Sequence, residues 1–178
     1  NKMRMILSVV LLFAAVVASA AAEYEVTSPD GKVKISVVSE GGTRYSVAYD
    51  EVALIADSPL SMTLEDGTIW GSSKVRKASR KSVDEPINAT FYRKAVVKNA
   101  YNELNLDYGT YNLVFRVYDD GFGWRWESDK RKPYKVTAEQ ATFNFVEDWN
   151  MYATYTHKYE SQGLDAQYMD DFENLYKY

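Results

Sequence analysis

The sequence predicts an all-β domain of the sandwich or barrel type, and three observations carry the prediction. Apolar and polar residues alternate with period two in short runs, as along Val33, Ile35 and Val37 between Lys32, Lys34 and Ser36. Turn-forming residues divide those runs at intervals of about 8–12 residues. No long amphipathic helical period interrupts them.

Taken in order, Tyr24 to Ser28 is β-prone, and Ser28-Pro29-Asp30-Gly31 places Pro and Gly where a tight turn needs them. Gly41-Gly42 turns the chain into Tyr45, Val47 and Tyr49. Asp50-Glu51 breaks that run, and Val52 to Ile55 resumes it. Ala56-Asp57-Ser58-Pro59 leads into a further strand, Leu60 to Leu64, which Glu65-Asp66-Gly67 closes with a glycine suited to positive φ. Lys74 to Asp84 is basic and weakly patterned, the composition of an edge strand whose charges oppose edge-to-edge pairing. Phe91 to Val97, Asn102 to Tyr108 and Tyr111 to Asp119 are three more β runs, divided by Lys98-Asn99-Ala100 and by Gly109-Thr110. Asp119-Asp120-Gly121 turns the chain into Phe122 to Ser128. Val136 to Glu139 and Thr142 to Phe145 follow a charged loop. Beyond Asp148 aromatic residues are scattered without a period, as expected of a segment that wraps over a sandwich or awaits another domain.

Residues 1–22 have the organisation of a signal peptide and leave 23–178 as one domain. Lys2 and Arg4 precede an apolar run from Met5 to Val17, and Ala18-Ser19-Ala20-Ala21-Ala22 supplies small residues for cleavage. The run is shorter than the roughly 20 residues that span a bilayer, so no membrane span is expected after cleavage. Cysteine is absent from the 178 residues, which excludes disulfides, thiolate metal sites and a lipidated cysteine. Export is the expectation, to the periplasm or the cell surface, and the missing lipidation cysteine favours the periplasm. A net charge of −4, from 25 acidic and 21 basic residues, leaves no basic stripe for nucleic acid. The 15 tyrosines and 4 tryptophans suit either a packed core or sugar stacking.

Ser28-Pro29-Asp30-Gly31-Lys32, Ser58-Pro59-Leu60, Tyr101-Asn102-Glu103-Leu104 and above all Phe115-Arg116-Val117-Tyr118-Asp119-Asp120-Gly121-Phe122-Gly123-Trp124-Arg125-Trp126 occur in that order. Together they resemble the N-terminal domain of glycoside hydrolase family 97, exo-acting α-glucosidases and α-galactosidases of Bacteroidetes, from about Tyr24 to the end of the chain. Two positions depart from the family pattern, Glu51 and Ser61 standing where glycine is usual, and both bear on turn geometry. The resemblance implies a large two-sheet antiparallel sandwich of the galactose-mutarotase type, packed on a (β/α)8 barrel of the same polypeptide. It also implies that the catalytic carboxylates lie on that barrel, with none on this domain, that an oligosaccharide is the substrate of the whole enzyme, and that a calcium ion sits beside the sugar. One calcium ligand is a glutamate from the end of this domain. Phe172-Glu173-Asn174-Leu175-Tyr176 resembles that motif and marks Glu173, with Glu160 in Tyr159-Glu160-Ser161 as second choice.

Other residues have plainer readings. His157, the single histidine, lacks a nucleophile-elbow motif to serve and is read as a packed or exposed residue. Trp124 and Trp126 share one strand face and Arg125 takes the other, which favours core packing over a sugar platform. Arg116 and Arg125 flank the Asp119-Asp120-Gly121 turn, where opposite charges pair across a hairpin. Glu103, Asp107 and Glu127 would make a hydrolytic carboxylate pair only if brought within about 5–9 Å. The alternative function is a stand-alone carbohydrate-binding sandwich without hydrolase activity, and a third is a purely structural domain. A row of exposed rings on one sheet would favour the second.

Overall fold

The structure is a computed structural model that describes residues 22–90, 94–128 and 133–150. Ten strands are present there: β1 (Glu23–Thr27), β2 (Val33–Val38), β3 (Thr43–Tyr49), β4 (Val52–Leu64), β5 (Ile69–Trp70), β6 (Lys77–Asn88), β7 (Val96–Asp107), β8 (Tyr111–Tyr118), β9 (Gly121–Ser128) and β10 (Val136–Ala141). One sheet runs β1-β2-β3-β4-β10 with β5 paired to β4, and the other runs β6-β7-β8-β9. All pairings are antiparallel. The all-β two-sheet reading is confirmed.

Most of the turns form where the sequence placed them. Gly31 takes φ 78° as its amide donates to Ser28 O at 2.9 Å, and Gly67 takes φ 81°. Asp50 and Glu51 both adopt positive φ, 49° and 66°, the backbone sign of the hairpin turns that match strand twist. Glutamate at position 51 therefore holds the left-handed conformation that glycine adopts more readily, and the hairpin survives the substitution.

Two expected breaks are absent. Ala56-Asp57-Ser58-Pro59 lies inside β4 as register shifts against β3 with Asp57 at φ 48°, so one bulged strand replaces two. Lys98-Asn99-Ala100 lies within β7, where unbroken pairing with β6 outweighs the polar composition. The basic segment is an edge strand as expected, though displaced to Lys77–Asn88. Thr142 to Phe145 forms a single bridge, Phe145 to Ile55, in place of a separate strand.

Between the sheets lie Ile35, Val37, Tyr45, Leu60, Leu64 and Trp70 from one side and Leu104, Leu106, Leu113, Phe115 and Val117 from the other, all essentially inaccessible. Each contributes about 1.5–3 kcal/mol by leaving water. Tyr111 stacks on Trp70 at 5.0 Å and on Tyr108 at 4.8 Å. Several polar atoms inside this aromatic layer are paired in series: Thr43 Oγ1 donates to Gly71 O at 2.8 Å and lies 2.6 Å from Tyr108 Oη, and Gly71 N donates to Tyr111 Oη at 3.0 Å.

Candidate functional site

Residues 101, 103 and 105 of β7, 114, 116 and 118 of β8 and 121, 123 and 125 of β9 alternate with the core residues, and so form the outer face of the four-stranded sheet. Glu103 is buried there in spite of its charge. It accepts a hydrogen bond from Arg116 Nε at 2.8 Å and lies 3.1 Å from Lys81 Nζ, each partner standing opposite it on a neighbouring strand. The Arg116 guanidinium also lies 4.6 Å from the centre of the Tyr101 ring, and Tyr101 meets Tyr118 at 5.2 Å. Burial raises the Glu103 pKa, but the hydrogen bonds and charges of Arg116 and Lys81 outweigh it and hold the carboxyl below its usual range. A carboxylate so held is poorly suited to give up a proton as a general acid.

Beside this cluster Val114, Arg116, Tyr118, Gly123, Trp124 and Arg125 line a shallow hollow of about 200 Å³. Gly123 stands opposite Arg116, and a side chain there would meet open space.

The three carboxylates considered as a hydrolytic group are each engaged locally. Glu103 is bound as above, Asp107 accepts from the Gly109 amide at 2.5 Å, and Glu127 accepts from Arg125 Nε at 2.7 Å. Arg116 and Arg125 are both held in structural ion pairs, as expected, but not across the β8–β9 hairpin: Arg116 binds Glu103 on β7 and Arg125 binds Glu127 along its own strand. Asp119 instead accepts from the Asp30 amide at 3.0 Å and meets Lys98 at 3.6 Å, tying two turns together. The cause is register, because Arg116 stands opposite Glu103, whereas the turn carboxylates lie past the end of β8.

Trp124 and Trp126 turn inward onto the core and Arg125 turns outward, as strand alternation predicts. Trp126 meets Trp70 at 6.2 Å and Tyr111 at 5.8 Å, so it serves packing. Glu173, Glu160 and His157 lie outside the described residues. Among the described residues no group of three or more His, Cys, Asp or Glu could hold a metal ion. The Glu103 cluster was missed by sequence reasoning. Its one signal was an acidic residue inside a β run with basic residues in both flanking runs, which becomes readable only once strand register is known.

Comparison with known proteins agrees with this fold. Residues 26–177 match the family model described as Glycosyl-hydrolase 97 N-terminal. A retaining alpha-galactosidase of Bacteroides thetaiotaomicron is 33% identical over 156 residues, 86% of this chain. The chain spans about a quarter, 24%, of that enzyme's length. Among solved structures, a glycoside hydrolase family 97 enzyme of Pseudoalteromonas sp. strain K8 in complex with acarbose is 25% identical with a TM-score of 0.59, covering 65% of this chain and 19% of its own. A beta-arabinopyranosidase is 26% identical with a TM-score of 0.62, covering 70% of this chain and 21% of its own. The family match over residues 26–177 and the relative 33% identical over 86% of the chain together show that the chain belongs to the glycoside hydrolase family 97 N-terminal domain family.

Proposed function

We propose that this chain is the non-catalytic N-terminal domain of an exported exo-acting α-glycosidase, an α-galactosidase or α-glucosidase, bracing a (β/α)8 catalytic barrel in the same polypeptide. The observation that carries the reading is the family match over nearly the whole sandwich, residues 26–177, in a chain corresponding to a quarter of an α-galactosidase. The local engagement of Glu103, Asp107 and Glu127 supports it, since each described candidate carboxylate is committed to a structural partner. Residues 1–22 direct export in this reading, to the periplasm.

The same reading assigns Glu173 to a calcium ion shared with the barrel, with Glu160 as second choice. Calcium takes 6–8 oxygen ligands, and bound there it would organise the sugar site electrostatically. The described part of the sandwich holds no such ligand set, so a single carboxylate from the C-terminal segment would complete one built on the barrel.

The test compares the complete enzyme with the 178-residue chain on p-nitrophenyl α-galactoside, α-glucoside and β-L-arabinopyranoside, with calcium and after chelation. Activity is expected in the complete enzyme alone and is expected to fall on chelation, with Glu173→Gln weakening calcium binding and Glu160→Gln leaving it unchanged. Hydrolysis by the 178-residue chain would overturn the reading. Glycan binding by that chain, without calcium-dependent activity in the complete enzyme, would move the carbohydrate-binding module to first place.

A further inference from the structure

Two sheet edges, β1 and β6, lie on the same side of the sandwich, and they are finished differently. Across the interior β1 packs over β7, so β6 extends past β1 by one strand. The edge of β1 is closed by side chains of the other sheet: Arg80 Nε donates to Glu25 O at 2.9 Å and Asn102 Nδ2 donates to Thr27 O at 2.8 Å. The edge of β6 is open. It pairs with β7 along its whole length, Lys77 to Asn88, and among the described residues with nothing on its other side.

Pro86 shows which backbone groups face that open edge. Proline lacks an N–H, yet Pro86 sits in an unbroken ladder opposite Lys98, so residues of its parity turn their backbone groups away from β7. Ala89 N, of the other parity, donates to Ala95 O at 3.0 Å. Ala78, Arg80, Ser82 and Asp84 therefore present N–H and C=O groups to the outside. The basic run read from the sequence opposes edge pairing, but the strand continues to Asn88 and includes Glu85 beside Asp84, so its first half is basic and its second half acidic. Arg80, Asp84 and Glu85 form no ion pair with a described residue, whereas Lys81 lies 3.1 Å from Glu103.

We infer that β6 pairs antiparallel with β6 of a second copy of this chain, about a two-fold axis through Ser82, joining the two four-stranded sheets edge to edge. The strand is self-complementary in that register. Ser82 faces its counterpart, Arg80 of each copy faces Asp84 of the other, and backbone bonds run unbroken from Arg80 to Asp84. Beyond that span Pro86 faces Ala78 and, having no N–H, ends the ladder. Competing registers are worse. An axis through Arg80, Lys81 or Asp84 sets like charges face to face, and one through Val83 brings Pro86 opposite Arg80 and removes a bond on each side. Because β6 extends past β1, the sheets that face it in the two copies stay clear of each other. The contact is small, so the dimer forms at high protein concentration.

Sedimentation velocity on the 178-residue chain, from about 10 μM to about 1 mM, tests this. A concentration-dependent dimer is expected. Asp84→Arg sets arginine opposite Arg80 and should raise the dimer dissociation constant at least about tenfold, and Arg80→Asp combined with Asp84→Arg should return it to within about threefold of the native value. Ser82→Pro serves if Asp84→Arg fails to fold. It shares the parity of Pro86, so the ladder with β7 survives while the central bonds between copies are lost, and association should again weaken at least about tenfold. A chain that stays monomeric throughout would overturn the inference. So would a dimer that neither variant weakens, which would place the contact on another surface.

Discussion

Replacing Glu103 by glutamine removes a charge from the outer face while leaving the side chain's shape and one acceptor in place. The Glu103 side chain is 9% exposed, Arg116 is 31% exposed and Lys81 is 56% exposed. Fully exposed ion pairs contribute about 0–1 kcal/mol, and breaking a buried pair costs about 3–5 kcal/mol. One nearly buried carboxylate between two partly wet cations falls between these limits, so Glu103→Gln is expected to cost about 1–3 kcal/mol, or about 2–12 °C in Tm for a domain of this size. The pH dependence identifies the source. The carboxyl pKa is depressed in the folded state, so its contribution is present above the unfolded glutamate value of about 4.3 and is lost as pH falls through the folded value. Urea unfolding followed by tryptophan fluorescence should therefore show the widest gap between native and variant chains at neutral pH, closing in acid below about pH 4. A gap that is pH-independent would mean that shape rather than charge was lost. No gap at neutral pH would mean that the paired carboxylate contributes nothing to stability.

Two further outcomes follow from the core. Gly71 and Gly31 both hold positive φ, 91° and 78°, but a Cβ at Gly71 would meet Leu60 O at 2.7 Å and the Trp126 ring at 3.1 Å, whereas one at Gly31 meets open space. Gly31→Ala should cost about 1–2 kcal/mol from backbone conformation alone and Gly71→Ala about 1–3 kcal/mol more, as read from denaturation midpoints; equal losses would contradict the close packing at Gly71. Burial pushes the phenols of Tyr45 and Tyr108 up to about 12. In an ultraviolet titration these two should ionise well after exposed tyrosines, and the fold should lose stability as pH rises from the ordinary value of about 10 through 12, because a raised folded pKa stabilises only below the unfolded one. A single step near 10 with native far-ultraviolet dichroism would disprove their burial.

The sequence by itself determined the β class, most of the turns and the family resemblance. Period two along Val33 to Val37 and the Asp119-Asp120 turn are local features that depend on residues within a few positions of one another. Even Glu51, departing from the usual glycine, keeps its hairpin because the two-residue turn and the paired strands β3 and β4 impose the backbone. What local signals misjudged were continuity and partnership. Asp57-Ser58-Pro59 and Lys98-Asn99-Ala100 have the composition of breaks, but each is held in a strand by ladder pairing with distant sequence. The Glu103 cluster, the ring partners that Trp126 meets and the pairing of Arg116 with β7 instead of across its own hairpin with β9 were decided by the tertiary structure. Register between strands selects which charges meet, as at Glu103 and Arg116, 13 residues apart, and the packing of the two sheets selects which apolar side chains are buried. Both are properties of the assembled sandwich, because no run of neighbouring residues encodes the partner that it will face.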